Sequence, residues 1–165
     1  MNLIVAMTKN YAIGNKNELL FHLPTDLKNF KEKTTNKVVV MGLNTYLSLP
    51  KRPLPNRVNI VITRKNDIVL EGTTIVHSIQ ELFEILKTYN SDNVFVIGGA
   101  KIYNQLMDYC KYAYVTYIET EVPADTYIKN IENVGFKLKE SSQIMHENDV
   151  DYTFRIYENT KPKNI

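Results

Sequence analysis

Short apolar runs alternate with amphipathic segments along most of the chain. Runs rich in Val, Ile and Tyr predict strands, and apolar residues spaced three and four apart predict helices. The predicted strands are Leu3 to Met7, Val38 to Met41, Val58 to Thr63, Thr74 to Val76, Val94 to Ile97, Tyr112 to Ile118, Phe136 to Ser141 and Tyr152 to Tyr157. The predicted helices cover residues 24–34, 43–48, 79–88 and 100–108. This alternation is typical of an α/β protein.

The strands lack the strict alternation of apolar and polar residues that is typical of a sheet with one solvent-exposed face. We therefore expect a mostly parallel sheet covered by helices on both sides. Only a polar loop separates Phe136 to Ser141 from Tyr152 to Tyr157, which leaves no room for a crossover helix. These two strands should therefore pair antiparallel. We expect one domain over residues 1–158 and a frayed polar tail at 159–165.

One acid interrupts the apolar side of the first predicted helix. At about 3.6 residues per turn, the stripe that should face the core consists of Leu23, Asp26, Leu27 and Phe30. An Asp in a first helical turn can simply complement the helix dipole. Alternatively, Asp26 is a carboxylate at the rim of an apolar pocket, where desolvation raises its pKa and it binds paired N–H donors of a ligand. This segment alone leaves both interpretations open.

Two strands end in glycine immediately before a predicted helix. Gly42 precedes the helix that starts at residue 43, and Gly98-Gly99 precede the helix that starts at residue 100. Glycine allows close backbone approach, and the free N–H groups at a helix start attract anions. Because both junctions lie at the same edge of a parallel sheet, they could hold a pyrophosphate from two sides. A tight turn that needs glycine for its geometry alone is the alternative.

Polar and basic residues follow the next two strands. Thr63, Arg64 and Lys65 lie at the end of one strand, and His77 follows the other. A hydroxyl beside two cations suits a phosphate monoester better than a ribose hydroxyl, which an acidic side chain would bind. This favours a 2′-phosphorylated dinucleotide, with an ordinary solvated strand end as the alternative. Arg57 closes a proline-stiffened segment, and a guanidinium held in this way matches a carboxylate.

Composition narrows the classes of function. The chain has 165 residues, 44% of them hydrophobic, and a net charge of +2 with no basic stripe, so we do not expect a nucleic-acid partner. The single cysteine, Cys110, cannot form an internal disulfide, and no apolar segment is long enough for a membrane span. We therefore expect a cytoplasmic protein in which Cys110 is buried and inert.

Several motifs occur in a specific order along the chain. They are Leu23-Pro24-x-Asp26-Leu27-x-x-Phe30-Lys31, Val40-Met41-Gly42-x-x-Thr45-Tyr46, Arg52-Pro53-Leu54-Pro55-Asn56-Arg57, Val96-Ile97-Gly98-Gly99-x-x-x-Tyr103 and Asp125-Thr126. Over residues 3–158 the chain resembles the dihydrofolate reductase family. The resemblance implies that family's three-layer α/β fold, in which flanking helices cover an eight-stranded, mostly parallel sheet with an antiparallel C-terminal strand. It also implies NADPH-dependent reduction of 7,8-dihydrofolate to tetrahydrofolate, which feeds one-carbon and thymidylate metabolism.

The resemblance further implies roles for individual residues. Asp26 would hold the pterin N3 and 2-amino group, backed by Thr116 and with Phe21 nearby as the third catalytic position. Arg57 would bind the glutamate α-carboxylate of the substrate, and the other substrate-binding residues would be Val5, Ala6, Leu27, Phe30, Leu49, Leu54, Ile97 and Tyr103. The cofactor-binding residues would be Ala6, Ile13, Gly14, Leu19, Gly42, Leu43, Asn44, Thr45, Thr63, Arg64, Lys65, His77, Ile97, Gly98, Gly99, Ala100, Lys101, Ile102, Tyr103 and Thr126. Gly98-Gly99 would form a cis peptide beside the nicotinamide, and Ile13 with Gly14 would begin a mobile loop.

The chain departs from the family pattern in three places. Leu20-Phe21 stand where Pro-Trp is usual, Leu43 where Arg is usual, and Ile128-Lys129 where Phe-Pro is usual. Loss of an indole N–H removes a donor that could hold an ordered water near the acid. Loss of an arginine at position 43 leaves more of the phosphate binding to Arg64, Lys65 and Lys101.

Two alternative functions would use many of the same residues. One is a reductase of a pyrimidine intermediate in riboflavin synthesis, which shares the fold and the NADPH site but does not need the pair Asp26 and Arg57. The other is a non-catalytic folate-binding or NADPH-binding protein, suggested by Phe21 and Leu43. We expect the enzyme to be a monomer that binds dihydrofolate and antifolate inhibitors, without a metal, nucleic acid or membrane partner.

Overall fold

The runs of Val, Ile and Tyr form the strands of one central sheet in a computed structural model that describes residues 1–165. The strands are β1 (Asn2–Thr8), β2 (Ala12–Gly14), β3 (Val38–Gly42), β4 (Val58–Ile62), β5 (Thr74–Val76), β6 (Val94–Gly98), β7 (Tyr112–Ile118), β8 (Thr126–Tyr127), β9 (Phe136–Ser141), β10 (Met145–Glu147) and β11 (Val150–Asn159). The helices are α1 (Pro24–Thr34), α2 (Leu43–Ser48), α3 (Ile79–Leu86), α4 (Ala100–Leu106) and α5 (Ile131–Val134).

The sheet is mostly parallel and has eight strand positions. Its order is β10-β11-β7-β1-β6-β3-β4-β5, and the pairs from β7 to β5 are all parallel. β11 is antiparallel to β7, and β9 and β10 both pair antiparallel with β11. These two short strands share one position, because β7 already occupies the opposite edge of β11. The expected sheet and the expected antiparallel pairing of the C-terminal strands are confirmed.

Burial on both faces explains why the strands read as continuous apolar runs. In β3 the residues Val38 to Met41 are all buried, with Val40 packing into the larger core cluster and Val39 into a second cluster on the opposite face. Phe30 of α1 packs against the second cluster, and Ile102 of α4 belongs to the first. Helices therefore cover both faces, as parallel sheets require.

Most element boundaries agree with those predicted from the sequence, and the differences occur where the local geometry changes. α1 and α2 have the predicted bounds, whereas α4 stops at Leu106 because a 3₁₀ turn, Met107–Tyr109, follows it. The expected frayed tail is wrong at two points. Asn159 is buried in β11, and its amide donates to the Cys110 carbonyl over 3.1 Å. Lys163 donates through its backbone N–H to the Asp108 carbonyl over 2.8 Å.

Three elements were not predicted: the two-stranded ribbon of β2 and β8, the strand β10, and the short helix α5. No helix in the structure has the length and apolarity needed to span a membrane. Cys110 is fully buried as expected, and burial raises the pKa of its thiol to about 12, so the thiol stays protonated.

Candidate active site

The carboxyl ends of the parallel strands open into one large cleft of about 1500 Å³. Helices α2 and α4 begin directly after β3 and β6 at this edge, and α1 closes the cleft from the side. Every residue that the sequence assigned to substrate, cofactor or catalysis lines this cleft. The structure therefore brings together residues from Val5 to Thr126, although their individual roles remain predictions.

Asp26 lies in the first turn of α1, half-buried and facing strand β7. Thr116, buried in β7, donates a hydrogen bond from Oγ1 to Asp26 Oδ1 over 2.5 Å. Burial raises the pKa of Asp26 above its usual range, the hydrogen bond from Thr116 lowers it, and the nearby charge of Glu147 raises it again. A dipole-complementing acid on the helix surface would not be desolvated in this way, so the geometry favours the interpretation of Asp26 as a pocket carboxylate.

The part of the cleft around Asp26 is apolar. Leu27 is 42% exposed although it lies on the apolar stripe of α1, because it borders the open cleft rather than the core. Tyr103 is buried at the base, and its hydroxyl donates to the Ile4 carbonyl over 2.7 Å. Burial and the neighbouring Asp26 raise the pKa of Tyr103, which keeps it neutral. The remaining predicted substrate-binding residues of this half are Val5, Ala6, Phe30, Leu49, Leu54 and Ile97. Phe21, the third predicted catalytic position, lines the same cleft.

Arg57 is held in a fixed orientation at the far end of this apolar region. Its Nε donates to the Pro55 carbonyl over 2.9 Å, and Nη1 donates to Thr34 Oγ1 over 3.1 Å. Thr34 is buried and anchored in turn by its own bond to the Phe30 carbonyl. Arg57 forms no ion pair within the chain, so the guanidinium is available to an external carboxylate.

The two glycine junctions meet in the other half of the cleft. The peptide Gly98-Gly99 is cis, as the family resemblance implied, and Gly98 has a φ of +129°. A Cβ on Gly98 would lie 3.4 Å from Thr45 Oγ1, and a Cβ on Gly42 would lie 3.2 Å from Ile102 Cγ1. Each junction therefore packs against the helix that follows the other, and a side chain at either glycine would press against that helix.

The polar half contains cations without acidic partners. Arg64, Lys65 and Lys101 are exposed, and none of them forms an ion pair. The backbone N–H of Lys65 donates to Thr63 Oγ1 over 3.2 Å, and His77 Nδ1 lies 2.9 Å from the Thr63 carbonyl. Unpaired cations in the same half of the cleft, two of them directly after Thr63, fit the phosphates of a dinucleotide. Leu43, Asn44 and Ala100 also line this half of the cleft.

The segment between β2 and α1 forms the rim above both halves. Gly14 accepts a hydrogen bond from the Asp125 backbone N–H over 3.2 Å, and Asp125 Oδ2 accepts from the Lys16 N–H over 2.9 Å. The hydrogen bond from Lys16 is the main cause that lowers the pKa of Asp125. Leu19, exposed by 69%, lies further along this rim.

Some residues that line the cleft were not predicted from the sequence as site residues. Ser78 and Gln80 line it where α3 follows β5, and Ser78 caps α3 by accepting from the Glu81 N–H over 3.1 Å. No glycine stands between β5 and α3, so the signal that singled out Gly42 was missing here. Ile4, Lys31 and Ser48 also line the cleft, but no local pattern in the sequence distinguishes them.

A single cleft that combines an apolar half containing a desolvated acid with a cationic half defines an α/β enzyme that takes a small substrate and a nucleotide together. The family model described as dihydrofolate reductase matches residues 1–159. This chain belongs to the dihydrofolate reductase family.

Individual relatives support the same assignment. Dihydrofolate reductase of Bacillus subtilis (strain 168) is 38% identical over 160 residues, which cover 96% of this chain and 94% of the relative. The enzyme of Buchnera aphidicola subsp. Acyrthosiphon pisum (strain APS) is also 38% identical, over 161 residues that cover 94% and 97%. A solved structure of dihydrofolate reductase from Enterococcus faecalis, complexed with NADP(H) and RAB-propyl, matches with a TM-score of 0.86 and 31% identity over 96% of this chain and 95% of that chain.

Proposed function

We propose that this chain catalyses the NADPH-dependent reduction of 7,8-dihydrofolate to 5,6,7,8-tetrahydrofolate. Membership of the dihydrofolate reductase family makes it an oxidoreductase. The observation that carries the proposal is the desolvated pair of Asp26 and Thr116 in the same cleft as the unpaired cations Arg64, Lys65 and Lys101.

The cationic half fits NADPH. Thr63, Arg64 and Lys65 would hold the 2′-phosphate, while Thr45 and Lys101 at the glycine junctions would hold the pyrophosphate. Gly42 and Gly98 carry no side chain, so their backbone can approach such a ligand closely. NADPH supplies the hydride for pterin C6 when it is bound.

The apolar half fits the pterin and its glutamate tail. The Asp26 carboxylate would accept from the pterin N3–H and 2-amino group, with Thr116 fixing its orientation. Arg57 would bind the α-carboxylate, because Pro55 and Thr34 hold its guanidinium in place and no acidic side chain of this protein pairs with it. Holding two reactants in a dry cleft can supply up to roughly 7–11 kcal/mol of the barrier, so positioning is the main catalytic contribution.

Asp26 is also proposed to polarise the pterin for protonation at N5. The N5 proton should come through solvent, because the sequence offers no second acid suited to the pocket. Phe21 borders the same region but offers no donor to hold a water there. A bound pterin would displace water from the apolar half, which would strengthen the interaction between Asp26 and the ring.

A spectrophotometric assay tests the proposal directly. Mixing the protein with dihydrofolate and NADPH should produce absorbance loss at the reduced-nicotinamide band, and omitting either compound should abolish it. Turnover of the pyrimidine intermediate of riboflavin synthesis in place of dihydrofolate would favour the alternative reductase. Binding of both dihydrofolate and NADPH without absorbance loss would identify a non-catalytic binding protein.

We further propose that the protein acts as a cytoplasmic monomer and that its single domain extends to Asn159, the last residue of β11. The buried, unpaired Cys110 suits a reducing compartment. Antifolate inhibitors are proposed to occupy the apolar half against Asp26, and competition with dihydrofolate would test this. Sedimentation at the assay concentration would test the monomer.

A further inference from the structure

Helix α1 has no capping side chain of its own. Leu23 precedes its first turn and makes no capping hydrogen bond, and Pro24 has no N–H to offer. The first free amide therefore belongs to Thr25, the neighbour of Asp26. Glu147, on β10 and 122 residues away in sequence, supplies the missing acceptor: Oε1 accepts from the Thr25 N–H over 3.1 Å, and Oε2 accepts from the Thr25 hydroxyl over 2.6 Å.

We propose that Glu147 is a positioning residue for Asp26, because it fixes the first turn of α1 and places a second negative charge beside the substrate-binding carboxylate. The inference rests on the function proposed above for Asp26. Glu147 does not line the cleft and is assigned no contact with substrate or cofactor.

The hairpin that carries Glu147 is built to hold its position. β10 and β11 are joined by Asn148 and Asp149, which have φ angles of 50° and 64°, as a tight two-residue hairpin turn requires. The Asn148 side-chain amide also donates to the His22 carbonyl. The tip of the hairpin therefore contacts the chain on both sides of the Leu23-Pro24 step that leads into α1.

The other groups that face Asp26 are neutral. Thr116 donates to it from β7, and Tyr103 approaches from α4. Tyr152, buried in β11, lies close enough to Glu147 and Asp26 for both acids to raise its pKa, after the larger effect of its own burial. Burial is the main cause that raises the pKa of Asp26, and Glu147 is the charged group that adds to it.

The variant Glu147→Gln distinguishes the effect of the Glu147 charge on Asp26 from the effect of its capping hydrogen bonds to Thr25. The amide keeps the size of the side chain and one acceptor oxygen for Thr25, but it removes the negative charge. The Asp26 carboxyl should then titrate at a measurably lower pH than in wild type, since the repulsion that disfavours its ionised form is gone. Carboxyl-carbon NMR of the ligand-free protein, assigned with Asp26→Asn, measures this shift without any turnover.

Two further variants test the structural part and the specificity. Glu147→Ala loses the cap as well, so it should show the same shift together with a lower melting temperature than Glu147→Gln. Asp151→Asn is the matched control, because Asp151 lies on the same hairpin, is exposed and contacts His146 at 2.7 Å rather than α1. It should leave the titration of Asp26 unchanged.

An unchanged Asp26 titration in folded Glu147→Gln would overturn the inference, and so would an equal shift in Asp151→Asn. If Glu147→Ala does not fold, Glu147→Gln still decides. The pH profile of dihydrofolate turnover should move with the titration. A wild-type protein that consumes no NADPH with dihydrofolate would refute the proposed function, whereas normal turnover with an unshifted profile in Glu147→Gln would refute only the role of Glu147.

Discussion

Thr116 donates a 2.5 Å hydrogen bond to Asp26 across the boundary between the sheet and helix α1, although the two residues lie 90 positions apart in sequence. The hydroxyl stabilises the ionised carboxylate, but desolvation in the cleft outweighs it and the pKa of Asp26 is raised. The fold therefore holds a carboxylate where ionisation is unfavourable, which is typical of a group retained for function.

This arrangement predicts that Asp26→Asn stabilises the folded protein at neutral pH. Below the unfolded-state pKa of about 3.9, Asp26 is protonated in both states and the acid carries no ionisation penalty. As pH rises toward the raised folded-state pKa, the unfolded chain ionises first, so wild type loses stability that the variant keeps. Urea unfolding of both proteins from acid to neutral pH should show a difference that grows with pH; a variant less stable than wild type at neutral pH would contradict the assigned cause.

The orientation of Arg57 predicts a selective defect in tail binding. Arg57→Leu should raise the KM for dihydrofolate roughly ten- to a hundredfold, because one charge-assisted pair to the α-carboxylate is lost. The KM for a reduced pterin that has no glutamate tail should be nearly unchanged.

Arg52→Leu is the matched control for this experiment. Arg52 lies in the same proline-rich segment, but its Nη1 donates to the Leu47 carbonyl and it does not line the cleft. It should leave both substrates unaffected. Equal losses for the two substrates in Arg57→Leu would place Arg57 away from the tail.

The cluster at the end of β4 predicts preference for NADPH over NADH. Arg64→Ala should weaken NADPH binding by roughly tenfold and leave NADH binding nearly unchanged, because only the former carries the 2′-phosphate. Calorimetric titration of both cofactors measures the ratio. Lys87→Ala, which removes a surface lysine paired with Glu84, serves as the control, and a parallel loss for both cofactors in Arg64→Ala would exclude a 2′-phosphate contact.

The central sheet was predictable because burial on both faces leaves a local signature. The run Val38 to Met41 and the strand Tyr112 to Ile118 were located closely, and α1 was bounded by the proline at its start. The β2–β8 ribbon was not, since Ala12–Gly14 and Thr126–Tyr127 are too short to show a period and pair only through the fold. Similarly, the burial of Asn159 depends on the distant Cys110 carbonyl.

The site was predictable where chemistry breaks a local pattern. Asp26 interrupts an apolar stripe, and Gly98-Gly99 interrupt a strand-to-helix junction. Lys31 gives no such signal because a lysine on a helix surface is ordinary. Glu147 gives none because its partner, Thr25, is brought to it only by the docking of the hairpin against α1.

Phe21 predicts a gain from restoring an indole. A cavity of about 30 Å³ lies between Phe21, Leu20, Leu23 and Asp26, which offers part of the space that a larger ring needs. Phe21→Trp should raise the hydride-transfer rate or lower the KM about two- to tenfold at neutral pH, because an added N–H donor can hold a water for N5 protonation. Unfolding must be measured alongside, since overpacking could mask the gain. In a well-folded variant, unchanged or reduced hydride-transfer rates together with an unchanged or higher KM would refute the water hypothesis.

The turnover of Asp26→Asn as a function of pH tests the central claim that this carboxylate acts on the bound pterin. At neutral pH we expect a loss of roughly 10²- to 10⁴-fold with NADPH affinity nearly intact, because Asn keeps the shape but cannot polarise the ring as an anion. Residual activity should rise as pH falls, when substrate arrives already protonated. Near-normal turnover of the variant at neutral pH would contradict the claim and leave Asp26 with no role beyond complementing the dipole of α1.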